Sequence, residues 1–224
     1  MTNVTKKADV RCYVIIDPAA CGGRDPMHVA QAAAKGGATI IQLRDKSGDV
    51  RHMLTLAQAM KTALAPFAVP LVINDRVDVA LAAGAHGAHV GQEDLPAEAA
   101  RRLLGDEAIL GLSHKTPEEI AASPVNTLSY AAIGGIFPTT SKKQGASGLE
   151  AFARMAHAMR ARAPELPIVG IAGITAENAA SVIAAGADGV AVISAVCAAD
   201  DPEAATRALR AVVDAALAKR EDAA

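Results

Sequence analysis

The 224-residue sequence predicts a (β/α)8 barrel, on three observations. Short apolar runs of strand type recur, alanine-rich stretches with helical spacing lie between them, and several helix-to-strand junctions repeat one glycine signal. Strict alternation of strand and helix implies a parallel sheet with right-handed crossovers, and eight units in a chain of this length suit closure better than an open sheet.

The strand-type runs fall at 11–17 (RCYVIID), 39–45 (TIIQLRD), 70–75 (PLVIND), 87–92 (GAHVGQ), 108–113 (AILGLS), 127–134 (TLSYAAIG), 167–173 (PIVGIAG) and 189–195 (GVAVISA). Helical spacing is clearest at 28–35, 50–64, 77–83, 150–162 and 177–185. The junctions Lys35-Gly36-Gly37-Ala38, Ala83-Gly84-Ala85-His86-Gly87 and Ala185-Gly186-Ala187-Asp188-Gly189 each end a helix on glycine and enter the next strand through small residues. With no linker or low-complexity stretch, one domain is expected over 1–224, with loose ends at about 1–9 and 219–224.

Composition narrows the function classes. A hydrophobic content of 51% allows a large core, while a net charge of -2 and 2% aromatic residues exclude a general nucleic-acid binder, which needs a basic stripe and stacking rings. Cys12, Cys21 and Cys197 form no CxxC pair and no disulfide framework, so they read as small core residues in a reducing compartment. The polar start MTNVTKKADVR lacks the apolar stretch of a signal peptide, and no later run reads as a membrane span. A cytoplasmic protein with no membrane partner is expected, its oligomeric state left open.

Barrel chemistry belongs at the C-terminal ends of the strands. The second run ends in Gln42, Arg44 and Lys46, which share a face because alternate residues of an extended chain do. The third ends in Asn74, Asp75 and Arg76, the fourth in Gln92, Glu93 and Asp94, and the fifth in Ser113, His114 and Lys115. Asp75 and Asp94 stand one βα unit apart and therefore occupy adjacent strand ends. Two converging carboxylates need a cation or a proton between them. With Arg44, Lys46 and Lys142 nearby, magnesium held by both acids and by phosphate oxygens is the natural arrangement, and a diphosphate is the expected guest. Small residues around Gly173 and around Ile193 and Ser194, at the ends of the last two runs, suit a second, backbone-built phosphate site.

The segments QLRDK, INDRVDVALAAGAHGAHVGQEDLP, GLSHKTPEE, YAAIGGIFPTTSKK and GIAGITAENAASVIAAGADGVAVISAV, in this order, resemble the successive motifs of the thiamine phosphate synthase family from about residue 11 to about 215. The resemblance implies an enzyme that joins hydroxymethylpyrimidine diphosphate to hydroxyethylthiazole phosphate in a dissociative, Mg2+-assisted reaction. It implies that Gln42, Arg44, Lys46 and Asn74 hold the pyrimidine and its diphosphate, that Asp75 and Asp94 bind the metal, and that Ser113 and Lys142 complete the diphosphate shell. Thr139 and Ser141, with the backbone at Gly173, Ile193 and Ser194, would hold the thiazole phosphate. Arg44, Lys46 and Lys142 become the catalytic groups, since charge builds on the leaving oxygens.

The sequence departs from the family pattern at Asp45, where glutamate is common, at Ala172, which replaces a glycine, and at Ser141, which replaces a threonine. Each feature also has a plainer reading. Arg44 and Lys46 suit solvated strand ends, Asp75 suits a helix N-cap, Asp94 suits a turn, Thr139 and Ser141 suit local turn bonding, and Gly173, Ile193 and Ser194 suit packing. His86 and His89 fit a loop and a barrel layer better than a zinc site, and His114 receives no role. Two rival functions share the expected fold: a thiazole tautomerase and a phosphate-binding barrel without catalysis.

Overall fold

The computed structural model describes residues 7–138 and 147–222. Eight parallel strands pair in sequence order: β1 (Cys12–Ile16), β2 (Ile40–Leu43), β3 (Leu71–Asn74), β4 (Gly87–Val90), β5 (Ile109–His114), β6 (Tyr130–Ile133), β7 (Ile168–Ile171) and β8 (Gly189–Val192). The β1–β8 pairing closes the barrel expected from the sequence. Around it run α1 (Pro26–Lys35), α2 (Val50–Leu64), α3 (Val77–Ala83), α4 (Ala97–Leu104), α5 (Pro117–Ala122), α6 (Leu149–Arg162), α7 (Ala179–Ala184), α8 (Ser194–Cys197) and α9 (Pro202–Asp222).

Local chemistry sets several boundaries. Asp25, Asp49 and Thr116 accept N–H groups of the first turns of α1, α2 and α5, and proline opens α1 and α5, where its missing N–H costs nothing. At the end of α3, Gly84 takes a left-handed φ of 60° and returns its N–H to the helix. The strands are shorter than most of the apolar runs because the C-terminal residues of those runs leave the ladder and turn into the mouth. In the run at 127–134 the start is also lost, to a 3-10 turn ending at Thr127.

Alternation along each strand makes two cores. Cys12, Val14, Ile16, Ile41, Leu43, Leu71 and Ile73 point outward and pack beneath the helices. Tyr13, Ile15, Ile40, Val72, Ile109, Tyr130, Ala132, Val169 and Ala191 fill the barrel interior. All three cysteines are free and buried, in keeping with a packing role. The described parts of the expected loose ends make contacts. Ala8 is buried, Lys7 pairs with Glu165 at 2.9 Å, and Arg220 of α9 donates to Ala187 O at 2.6 Å and to Asp188 at 2.8 Å. Among the described residues no helix is long and apolar enough to cross a membrane.

Candidate active site

A cavity of about 690 Å³ opens at the C-terminal ends of the strands. Gln42, Arg44, Lys46, Asn74, Asp75, Asp94, Ser113 and Ile193 all line it, so most of the residues expected at the mouth converge. Ser194 is exposed as the first residue of α8, and Gly173 lies in the turn after β7. Thr139, Ser141 and Lys142 lie outside the described residues.

The two cations of β2 are not bare. The β1–β2 register pairs Ile16 with Leu43, which sets Asp17 beside Arg44, and the guanidinium donates to the Asp17 carboxylate. Asp17 is 8% exposed and also accepts the Ala19 N–H at 3.1 Å, so it is a fixed anchor. Lys46 donates to Asp75 from a half-exposed position. Arg44 is therefore a largely buried, paired group rather than a solvated strand end, whereas Lys46 is paired but still solvated.

Asp75 does not cap α3, whose first residues receive no side-chain cap. Its backbone is left-handed, φ 62°, a conformation that aspartate tolerates better than most residues, and its N–H donates to His89 O at 2.7 Å. The bend takes the chain out of β3 and leaves the carboxylate in the cavity lining. Asp94 does serve its own turn, one oxygen accepting the Gly91 N–H at 2.7 Å. Burial pushes its carboxyl above the ordinary range, the Gly91 N–H pulls it back, and the neighbouring Asp75 carboxyl pushes it up again. With Asp75 raising the cost of ionising Asp94, these two carboxylates are the described groups that could hold a hard cation. Among the described residues no cluster of three or more His, Cys, Asp or Glu side chains offers a complete cage, so such an ion would take its remaining ligands from waters or a guest.

On the far side the wall changes character: Ala132, Val169, Ile171, Ala191 and Ile193 are its lining. Gly173 is left-handed at φ 65°, and a Cβ there would come within 2.5 Å of Pro138 O, so glycine lets the chain after β6 cross close to the β7 turn. Beside it Ala172 carries φ 95° and accepts the Phe137 N–H at 3.2 Å. Alanine there is strained.

Residues 12–196 match the thiamine monophosphate synthase family. The chain is 50% identical over 210 residues to the thiamine-phosphate synthase of Roseiflexus sp. (strain RS-1), covering 93% of this chain and 87% of that one. It is 46% identical to the thiamine-phosphate synthase of Xanthobacter autotrophicus, over 94% and 99% of the two chains. A solved structure of thiamine phosphate pyrophosphorylase from Pyrococcus furiosus superposes with a TM-score of 0.81 at 33% identity, covering 94% and 98% of the two chains. The chain belongs to the thiamine monophosphate synthase family.

Reading the sequence alone leaves two features of this thiamine monophosphate synthase family site unrecognised. Asp17 ends the alternation Tyr13, Ile15, Asp17, the same pattern that exposes Arg44, and extending that pattern to β1 would have found it. The second feature is a buried chain of polar groups beneath the mouth, from Gln42 through Tyr13, Tyr130 and His89 to Ser113. His89 is there a barrel-layer residue, as its spacing suggested. His114 lies on the outer side of β5, bonded to Ser123 Oγ at 2.9 Å, and burial lowers its pKa; it does not line the cavity.

Proposed function

We propose that this chain makes thiamine phosphate, joining the methylene of hydroxymethylpyrimidine diphosphate to the nitrogen of hydroxyethylthiazole phosphate and releasing diphosphate. The observation that carries this reading is the charge balance of the mouth. Its described lining holds the acids Asp75, Glu93, Asp94 and Glu119 against the bases Arg44, Lys46 and Lys115, with Lys46 already on Asp75. A diphosphate enters such a site only together with a cation that satisfies Asp75 and Asp94, and Mg2+ suits two carboxylates completed by phosphate oxygens and water. When bound, the ion would draw off charge from the departing diphosphate.

The chain's own residues divide the remaining work. Arg44, held by Asp17, presents a fixed guanidinium to the diphosphate oxygens, and Lys46 moves from Asp75 to the same oxygens once a cation takes that carboxylate. Lys142 joins them from the segment after β6. Each such contact, stronger as the C–O bond breaks, contributes on the order of 3 kcal/mol to lowering the barrier. Gln42 and Asn74 hold the pyrimidine, and Ser113 donates to the diphosphate. The methylene cation left behind is captured by the thiazole nitrogen, closing the C–N bond with no general base. Water would capture it too, so the apolar wall of Val169, Ile171, Ala191 and Ile193 protects the intermediate. Thr139, Ser141 and the backbone at Gly173, Ile193 and Ser194 hold the thiazole phosphate. The three free cysteines suit a cytoplasmic setting.

A thiazole tautomerase would have no use for paired acids beside Arg44 and Lys46. Incubating the purified protein with both phosphorylated precursors separates the readings. Thiamine phosphate and diphosphate should appear in equal amounts and stop when a chelator is added. Binding without turnover, or isomerised thiazole without diphosphate, would refute the proposal.

A further inference from the structure

Beneath the mouth, five side chains from five strands form one hydrogen-bonded line across the barrel. Gln42 Nε2 donates to the Tyr13 hydroxyl at 2.7 Å, the Tyr13 and Tyr130 hydroxyls lie 2.7 Å apart, Tyr130 Oη lies 2.8 Å from His89 Nδ1, and His89 Nε2 lies 2.8 Å from Ser113 Oγ. Gln42, Tyr13, His89 and Ser113 line the cavity; Tyr130, fully buried, does not. Its ring is fitted closely: edge-on to Tyr13 with centroids 5.5 Å apart, stacked on His89 at 5.6 Å, and seated where a Cβ at Gly111 would overlap it. Nothing in the reaction calls for a phenol at this depth.

The line has a direction. Burial holds both phenols well above their ordinary pKa, so each keeps its one proton. Either hydroxyl can donate in the Tyr13–Tyr130 bond, but with Tyr13 accepting from the Gln42 amide, the arrangement that gives every proton of the line an acceptor turns the Tyr13 proton toward Tyr130. Tyr130, accepting that proton, turns its own toward His89 Nδ1. In that arrangement Nδ1 is the acceptor and the imidazole proton lies on Nε2, donating to Ser113 Oγ. The Ser113 hydroxyl proton is then left for an acceptor in the cavity.

We infer that Tyr130 is a positioning residue: without touching substrate, it fixes the tautomer of His89 and through it makes Ser113 a hydrogen-bond donor to an anionic group in the mouth. Only the kinetic part of its test rests on the synthesis proposed above.

Nitrogen-15 spectra of the ligand-free protein, with the His89 signals identified by their loss in His89→Gln, should find the imidazole proton on Nε2. A proton on Nδ1, or on both nitrogens, would overturn the inference, whether or not the chain turns over substrate. Tyr130→Phe keeps the ring and removes only the hydroxyl. It should release His89 to a mixture of tautomers and lower kcat about tenfold, the size of one lost hydrogen bond, with KM little changed. In a Ser113→Ala background the same substitution should cost less than about twofold, since the group it acts through is gone. Equal losses in both backgrounds, or an unchanged His89 spectrum in Tyr130→Phe, would overturn it. If Tyr130→Phe does not fold, the wild-type spectrum decides alone.

Discussion

Around the mouth, the ends of β1 to β5 present Asp17, Arg44, Lys46, Asp75, Asp94 and Ser113, each joined to a partner by an ion pair or hydrogen bond. The ends of β6 to β8 present Ala132, Val169, Ile171, Ala191 and Ile193, with tight turns at Ala172 and Gly173. One side can recognise charge through side chains. Among the described residues the other offers shape and backbone, so its specificity there depends on how closely segments approach. Substitutions should therefore fail differently on the two sides: loss of rate with the fold intact on the first, loss of stability or fit on the second.

The sharpest test of the charged side is Asp75→Asn. Asparagine tolerates the left-handed backbone at this position and removes only the negative charge, so turnover should fall by roughly a hundredfold while the thermal midpoint stays near that of the parent. Full activity in this variant would erase the distinction between the sides. On the apolar side, Gly173→Ala meets both a left-handed φ and Pro138 O, and thermal unfolding should report a loss of about 2 kcal/mol. Its rate at saturating substrate should change less than that of Asp75→Asn. The smallest effect, of opposite sign, belongs one residue earlier. Ala172→Gly relieves a φ of 95° and should stabilise the protein by about 1 kcal/mol, seen as a rise of a few degrees in Tm. A lower Tm would mean that the Ala172 turn is not strained.

These tests also mark what was legible in the sequence. The fold was, because alternation of period 2 and period 3.6 is local and the glycines at Gly36, Gly84 and Gly186 punctuate it. The charged side was legible in part for the same reason: alternate residues past the apolar runs must share a face, and adjacent strand ends must meet. Partners were harder. That Arg44 lies against Asp17 follows only once the β1–β2 register is known, and a one-residue slip would separate them. The line through Tyr13, Tyr130 and His89 was out of reach, since it joins strands far apart in sequence that meet only when the barrel closes. Asp94 shows a further difficulty, because a bond to its own turn does not take the side chain out of the cavity lining.

The pairing of Lys46 with Asp75 has a consequence for how an anion arrives. The ammonium is already spoken for, so the cation-bound guest proposed above would enter by an exchange of partners rather than by capture on idle charge. Ionic strength weakens a vacant positive patch steeply, but it weakens the resting pair and the incoming contact together. Affinity in this mouth should thus respond to added salt more gently than its count of lysines and arginines suggests.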